Sequence, residues 1–441
     1  MTTAGPDLGV VRRDARSLRT AESLDPLLDR AEDAHCVLLG AAGPGTTEFH
    51  HWRAELTRRL IEERGFTLLA VEDDWPVCTP LRHCVTQPAA GTVEDTVRAV
   101  RRALSGHRRW PTWPWANTEV LDLAAWLGRR NADRPEDDRI GVFGLDLFGL
   151  RGALPLVTAH VREHAPDHLA DTLAAFAALD CAPGPWSADP RAALAPAAAR
   201  DALVSALVAR FRAQADAVSA DELGGFTASQ HARGLREAEH HYRALLDGVP
   251  EAWNARERHL ADMLDRLLQL HGGRRHARAV VWAHNVHVAD ARGTGLADAG
   301  LLSLGRLVRE RYGPHRTVLT GFAAYRGTVT AADRWEGRAH VMEVPPARAG
   351  SLEDRLHHTL PVDAALFLVP DEPYRPGWMR QPADHRSIGV VYRPEWGDGE
   401  GYAPTVLGQS YDAFLYVDHT SALTPLHAEE QPYHAPPPEA L

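Results

Sequence analysis

The sequence predicts an α/β fold: a largely parallel sheet flanked by helices, with a helical insertion or subdomain. Three observations predict it. Short apolar, β-branched-rich runs recur towards both ends of the chain, as strands buried on both faces do. Helical periodicity fills the intervals between them, as crossover helices of a parallel sheet would. The middle of the chain then changes character and becomes Ala- and Leu-rich.

The elements follow in order. Cys36–Leu39 is the first strand, and it stops at Gly40. The helix Glu48–Arg64 comes next. Phe49, Trp52, Leu56 and Leu60 recur in it at helical spacing, and Gly65 is its natural C-terminal stop. Thr67–Val71 and Ile140–Phe143 are the next two strands. From about Leu154 to Gly273 long helical patterns dominate, as in Ala198–Ala215 and Trp253–His271, with breaks at Pro183–Pro185 and Gly224–Gly225. Strands return at Ala279–Trp282, Ala365–Val369, Ile388–Tyr392 and Ala413–Val417. The expected division is therefore a first half of the α/β core at 1–153 and a mainly helical insertion at 154–273. The second half of the core occupies 274–430, before a disordered tail with a Pro triplet at 431–441.

The chain has 441 residues, 44% hydrophobic and 24% charged, an ordinary composition for a globular protein. A formal charge of -11 argues against a nucleic-acid-binding face. No run approaches the roughly 18 apolar residues of a membrane span. The opening MTTAGPDLGVVRRDARS lacks the apolar core of a signal peptide, so the expected location is cytoplasmic. The cysteines Cys36, Cys78, Cys84 and Cys181 form no C-x-x-C pair, and reduced thiols are expected. The chain contains no lysine. Schiff-base, pyridoxal-phosphate and Walker-type phosphate chemistry go with it.

Ligands of open α/β sheets sit at the carboxyl ends of the strands. The first strand is followed by a Gly-rich loop from Gly40, and the second by Glu72-Asp73-Asp74-Trp75. Gly144-Leu145-Asp146 follow the third, and Ala283-His284-Asn285-Val286-His287 follow Ala279–Trp282. Glycines, carboxylates and imidazoles thus converge on one edge. Strand, glycines, helix, strand, acid is also the dinucleotide plan, but G-x-x-G-x-G is not its usual spacing. His284 and His287 form an H-x-x-H pair that Glu72 or Asp146 could complete as a metal site, yet no third histidine is evident. No cofactor and no metal is expected. Acid–base work by at least one of the two histidines is favoured, because imidazole titrates near working pH. The other reading is a histidine that packs against backbone. Arg53 and His50 share a face of the helix Glu48–Arg64 and look into the cleft, unless they are a solvated charge and a half-buried surface residue. Trp113 and Trp115, set between prolines, wall a pocket or fill the core. The expected partner is a small-molecule substrate, with neither nucleic acid nor membrane involved.

The motifs assemble into a known pattern. They are G-x-x-x-x-G-T-x-E-F at Gly40–Phe49, Arg53, GFTLLAVEDDWP at Gly65–Pro76, PTWPW at Pro111–Trp115 and FGLD at Phe143–Asp146. WNARERHLADML at Trp253–Leu264, WAHNVHVAD at Trp282–Asp290 and YRGTVTAADRW at Tyr325–Trp335 complete them. Nearly end to end, the chain resembles the erythromycin esterase family, which includes succinoglycan-biosynthesis-like proteins.

The resemblance implies a metal-independent hydrolase of macrolide lactones. A histidine base would activate water there, supported by carboxylates, an arginine and a second histidine pair. By position, Arg53, Glu72, His284 and His287 match that site. The family's first loop reads G-E-A-S/T-H-G-T-x-E-F, whereas this chain reads G-A-A-G-P-G-T-T-E-F. Ala41 stands in place of the glutamate, and Pro44 in place of the general-base histidine. The expectation is an enzyme acting on an oxygen-rich small molecule of specialised metabolism or antibiotic resistance. It is a hydrolase with its base relocated to His50, His284 or His287, or a water-free elimination, cyclisation or group transfer. The alternative is a non-catalytic binding protein. Glu72 with His284 or His287 is the expected acid–base pair, and Arg53 the holder of an anion or developing oxyanion. Asp146 is expected to orient a histidine or a substrate hydroxyl, with Trp75, Trp113, Trp115, His50 and Asn285 as substrate contacts.

Overall fold

The computed structural model describes residues 8–87, 92–107, 109–146, 162, 249–272, 277–335, 337–394 and 401–426. Eleven strands are described: β1 Arg16–Ser17, β2 Cys36–Leu39, β3 Leu68–Asp74, β4 Gly141–Asp146, β5 Ala279–Trp282, β6 Thr317–Ala331, β7 His340–Val344, β8 Ala364–Leu368, β9 Pro382–Arg386, β10 Tyr402–Val406 and β11 Ala413–Thr420. Nine of them form one mixed, mostly parallel sheet in the order β1-β8-β11-β6-β2-β5-β3-β4, with β7 paired to β6. β9 and β10 make a separate antiparallel ribbon. The α/β expectation holds.

The described residues divide into two compact units, one holding 8–70, 81–142 and 277–426, the other 71–80, 143–146, 162 and 249–272. In the first unit β2 lies between β5 and β6, parallel to both, with Leu39 opposite Trp282 and Thr320. All residues of β2 and β5 are buried, which is why both read as unbroken apolar runs rather than alternating ones. The helix Thr47–Arg64 follows β2. Its buried face carries Phe49, Trp52, Leu56 and Leu60, as the periodicity predicts. It ends at Gly65, whose φ of 68° is the left-handed cap conformation glycine adopts without strain.

In the second unit the helix Val249–Gly272 covers the expected Trp253–His271 and starts earlier. Trp75 stacks on Phe143, with ring centroids 5.7 Å apart, and Phe143 meets His271 edge-on at 5.2 Å. The expected helix Ala198–Ala215, both breaks of the insertion and the tail lie outside the described residues.

Three local expectations change. β3 and β4 run on to Asp74 and Asp146, so Glu72, Asp73, Asp74 and Asp146 belong to the strands rather than to loops beyond them. β6, the longest strand described at 15 residues, is not among the strands expected from the sequence. Ile388–Tyr392 is not a strand. Ile388 N–H donates to Ala42 O at 2.7 Å, Tyr392 N–H donates to Ala332 O at 2.8 Å, and one isolated bridge joins Val391 to Ala332. The apolar character of that segment reflects packing on the sheet, where Ile388 and Tyr392 cluster with Val329 and Ala331 of β6 and Val344 of β7; the stretch that forms a ladder is its neighbour β9, which pairs with β10. No helix among the described residues is long and apolar enough to cross a membrane.

Candidate active site

In the first unit the chain leaves β2 through Gly40–Thr46, and this loop is packed. Ala41 and Ala42 are 1% and 4% exposed. Ala41 O accepts from Asn285 N–H at 2.9 Å, and Ala42 O accepts from Ile388 N–H. Gly45 O accepts from both Thr330 N–H (3.0 Å) and Leu423 N–H (2.9 Å). Two of its glycines answer to close approach. A Cβ on Gly40 would sit 2.1 Å from Asn285 Oδ1, and one on Gly45 would sit 1.8 Å from Thr330 O. The loop is thus fixed through its backbone, and no residue from Gly40 to Gly45 has an ionisable side chain.

Arg53 is 3% exposed and reaches the same strand ends. Its Nε–H donates to Gly40 O at 2.6 Å and an Nη2–H donates to Ala283 O at 2.5 Å. It ties the end of β2 to the end of β5, with its guanidinium carbon 5.5 Å from the Trp282 ring centroid. His50, one turn earlier, is fully buried. Its Nδ1 lies 3.1 Å from Thr46 O and its Nε2 3.0 Å from Pro114 O. A neutral imidazole has one proton, so only one of these carbonyls receives it. Burial, then the nearby Arg53 charge, push its pKa down to about 4. His50 is neutral at neutral pH.

β5 delivers Ala283 and the one-turn helix Asn285–Val288. His284 caps that helix. Its Nδ1 accepts from Val286 N–H at 3.2 Å, and its Nε2–H donates to Ile388 O at 3.0 Å. Both ring nitrogens are engaged with backbone, so His284 fits the packing reading of the pair. His287 is 3% exposed on the same turn. Asn285 is also buried and bonds to Phe322, to His385 and to Ala41. His385 in turn meets Glu353 at 2.6 Å through Nδ1. Burial raises the Glu353 pKa, but the His385 ring and the Arg386 N–H outweigh it and hold the carboxyl below its ordinary value. Trp113 is fully buried against Trp110, edge-on at 5.6 Å, whereas Trp115 is half-buried.

In the second unit one guanidinium gathers two of the expected carboxylates. Arg256, on the helix Val249–Gly272, grips Asp146 with two bonds, Nε–Oδ1 at 3.1 Å and Nη2–Oδ2 at 2.6 Å. The same Nη2 reaches Glu72 Oε1 at 2.8 Å. Burial disfavours its charge, but Asp146 and then Glu72 overcome this and raise its pKa well above the ordinary arginine value. Asp73 and Asp74 are buried beside Glu72 in sequence, with Asp74 N–H donating to Asp73 Oδ1 at 2.8 Å. Trp75 is 4% exposed and packs as described above.

The structure thus brings together Arg53, His50, Asn285 and the His284–His287 turn in one unit, and Glu72 with Asp146 in the other. Sequence reasoning missed Arg256, Glu353 and His385. Arg256 lies inside the motif WNARERHLADML, where an arginine amid apolar helical positions was a usable signal. Glu353 and His385 meet across 32 residues, and no local pattern announces them. Among the described residues, no group of three or more His, Cys, Asp or Glu is arranged to hold a metal. Among the described residues Cys36, Cys78 and Cys84 are in no disulfide; Cys181 lies outside the described residues.

The fold has known relatives. The family model for erythromycin esterase matches residues 61–420. A crystal structure of a succinoglycan biosynthesis protein is similar at TM-score 0.72 and 22% identity, covering 95% of this chain and 97% of that one. A protein from Bacillus cereus is similar at TM-score 0.76 and 16% identity over 95% of this chain and 98% of its own. A histidine-to-asparagine mutant of the erythromycin esterase EreC, in its open conformation, is similar at TM-score 0.65 and 17% identity. That match covers 92% of this chain and 98% of the other. At these identities the structural likeness speaks for the fold.

Proposed function

The chain belongs to the erythromycin esterase family, and from that premise we propose that it is a hydrolase-like enzyme acting on an ester or lactone of an oxygen-rich small metabolite, with its proton-accepting step displaced from the first loop. Family and fold suggest the hydrolase-like function. The observation that carries the finer reading is the first loop itself. Its backbone is held in place by Arg53, Asn285 and Thr330, yet Ala41 and Pro44 offer nothing to accept a proton. Loss of the base alone removes about 10²–10⁴ in rate, so a working hydrolase must draw that function from elsewhere. His50 is neutral but sealed between two carbonyls, and His284 is bonded at both nitrogens. We take His287, buried on the turn that follows β5, as the candidate imidazole; Glu72, which the sequence names as a carboxylate candidate, is held by Arg256 in the second unit. Arg53 serves this reading as the clamp of the strand ends. A water-free elimination, cyclisation or group transfer is the second reading, since none of these needs a base to activate water, the role that the first loop has lost.

The test incubates the protein with macrolides, lactones and simple esters in ¹⁸O-labelled water and reads products by mass spectrometry. Labelled product that disappears in His287→Ala and persists in His284→Ala is the expected result. Pro44→His should raise the labelled-product rate by about tenfold or more, because it returns a base to a loop whose backbone is still in place. Unlabelled product would favour the water-free reading, and no product from any member would overturn the hydrolase.

A further inference from the structure

β2 stops at Leu39, opposite Thr320, while β6 continues to Ala331. Beyond that register the backbone of β6 needs partners that β2 no longer supplies. Gly40 N–H donates to Thr320 O at 2.8 Å. Two residues on, Phe322 finds both partners in one side chain. Asn285 Nδ2–H donates to Phe322 O at 2.7 Å, and Asn285 Oδ1 accepts Phe322 N–H at 3.2 Å. The carboxamide stands where a peptide group of a longer β2 would stand, and Gly40 leaves room for it.

This pair fixes which way the amide points. Turned over, it would set NH₂ against N–H and oxygen against oxygen. The second Nδ2 hydrogen then faces His385 Nε2 at 3.0 Å, so that nitrogen accepts and the ring proton sits on Nδ1. There Glu353 Oε1 receives it at 2.6 Å, and the same oxygen accepts Arg386 N–H at 2.9 Å. All three side chains are at least nine-tenths buried: Asn285 3%, His385 4% and Glu353 0% exposed. Each polarity in the chain dictates the next, which leaves one arrangement of protons and one rotamer of Asn285.

We infer that Glu353 and His385 are positioning residues: they lock the carboxamide of Asn285 and, through it, the turn that presents His284 and His287 at the end of β5. The catalytic part of this inference rests on the hydrolase reading above; the positioning part does not. Outer partners of this kind orient functional side chains without touching substrate.

The experiment uses the full chain labelled with ¹⁵N at histidine. Ring spectra of the unaltered protein should show His385 as the Nδ1–H tautomer and His284 as the Nε2–H tautomer. His385→Leu removes the acceptor and should shift or broaden the His284 ring signals. With whichever ester gives labelled product, it should lower kcat at least tenfold while KM stays within about twofold. His385→Gln should restore both readouts, since an amide nitrogen and oxygen are spaced much like the two ring nitrogens and can serve Glu353 and Asn285 together. An Nε2–H tautomer at His385 in the unaltered protein would overturn the inference. So would His284 signals in His385→Leu that superimpose on the original. If no ester is turned over, the hydrolase reading falls, and the tautomer and ring signals still decide the positioning role. If His385→Leu does not fold, the tautomer and the His385→Gln variant decide it.

Discussion

Arg53 and His50 share one helix face, and the structure turns both inward. Two donors of Arg53 go to the carbonyls that end β2 and β5, so a residue expected to hold an anion uses them on the scaffold. His50 bears the electrostatic consequence. In the unfolded chain its imidazole protonates near 6.5, and in the folded chain only near 4. Between those values the unfolded state holds the extra proton, so stability falls as pH falls through that window. The shift amounts to about 3 kcal/mol when the window has been crossed. Urea unfolding from pH 7 to pH 4 should show this slope, and His50→Gln, which cannot titrate, should flatten it. Equal slopes for the two proteins would mean that His50 is not the neutral buried group described. The sequence identified these positions but could not assign the roles, because a helix face says which side a residue is on and not whether a carbonyl or a cavity waits there.

At the scale of elements, the first loop and β6 show what spacing conceals. Gly45, in the loop after the first strand, and Gly65, the helix stop, answer to different constraints. Gly65 has nothing within 4 Å of an added Cβ and is selected by its φ of 68°. Gly45 has an ordinary φ, and its Cβ would meet Thr330 O at 1.8 Å. Gly65→Ala should therefore cost about 1–2 kcal/mol, the left-handed penalty. Gly45→Ala should cost about 1–3 kcal/mol or more from overpacking. Only Gly45→Ala should speed hydrogen exchange at the Thr330 and Leu423 amides, which bond to Gly45 O; unchanged exchange there would refute the close-packed loop. β2 and β5 were legible to the residue because buried parallel strands are continuous apolar runs. β6 was not, because Gly321 and Gly327 interrupt TVLTGFAAYRGTVTA and look like turns. In the folded chain the space beside Gly321 is filled by the Tyr411 ring, 2.8 Å from where a Cβ would be. That is a tertiary reason no local pattern contains. The same holds for Glu353 and His385, which meet only when β9 and the helix Leu352–Thr359 pack.

Across the whole molecule the absence of lysine gives the polar interactions a common form. All 48 Lys+Arg positions are arginine, and several use the guanidinium fork on main-chain carbonyls, alone or together with a carboxylate. Arg12 donates to Thr359 O, Arg59 to Ala21 O, Arg64 to Leu28 O and Arg386 to Tyr325 O. Arg278 is the fullest case. It donates to Ala34 O, Arg64 O, Ala31 O and Glu32 O, while its guanidinium carbon lies 4.3 Å from the Phe66 ring centroid. It thereby joins the start of β5 to the end of the helix Thr47–Arg64 and to the turn before β2. A lysine has three donors around one point, without the planar spread that reaches four carbonyls or stacks on a ring. Arg278→Lys should therefore strand at least one carbonyl and cost about 1–2 kcal/mol, read as a lower urea midpoint at unchanged slope. Arg98 provides the contrast. It pairs with Asp95, one helical turn away on an exposed surface, so Arg98→Lys should leave the midpoint where it was. If the two substitutions shift the midpoint equally, the arginines of this chain are interchangeable charges. If only Arg278→Lys does, the lysine-free composition has become part of the architecture, and replacing arginine by lysine is tolerated only where the partner is a carboxylate in water.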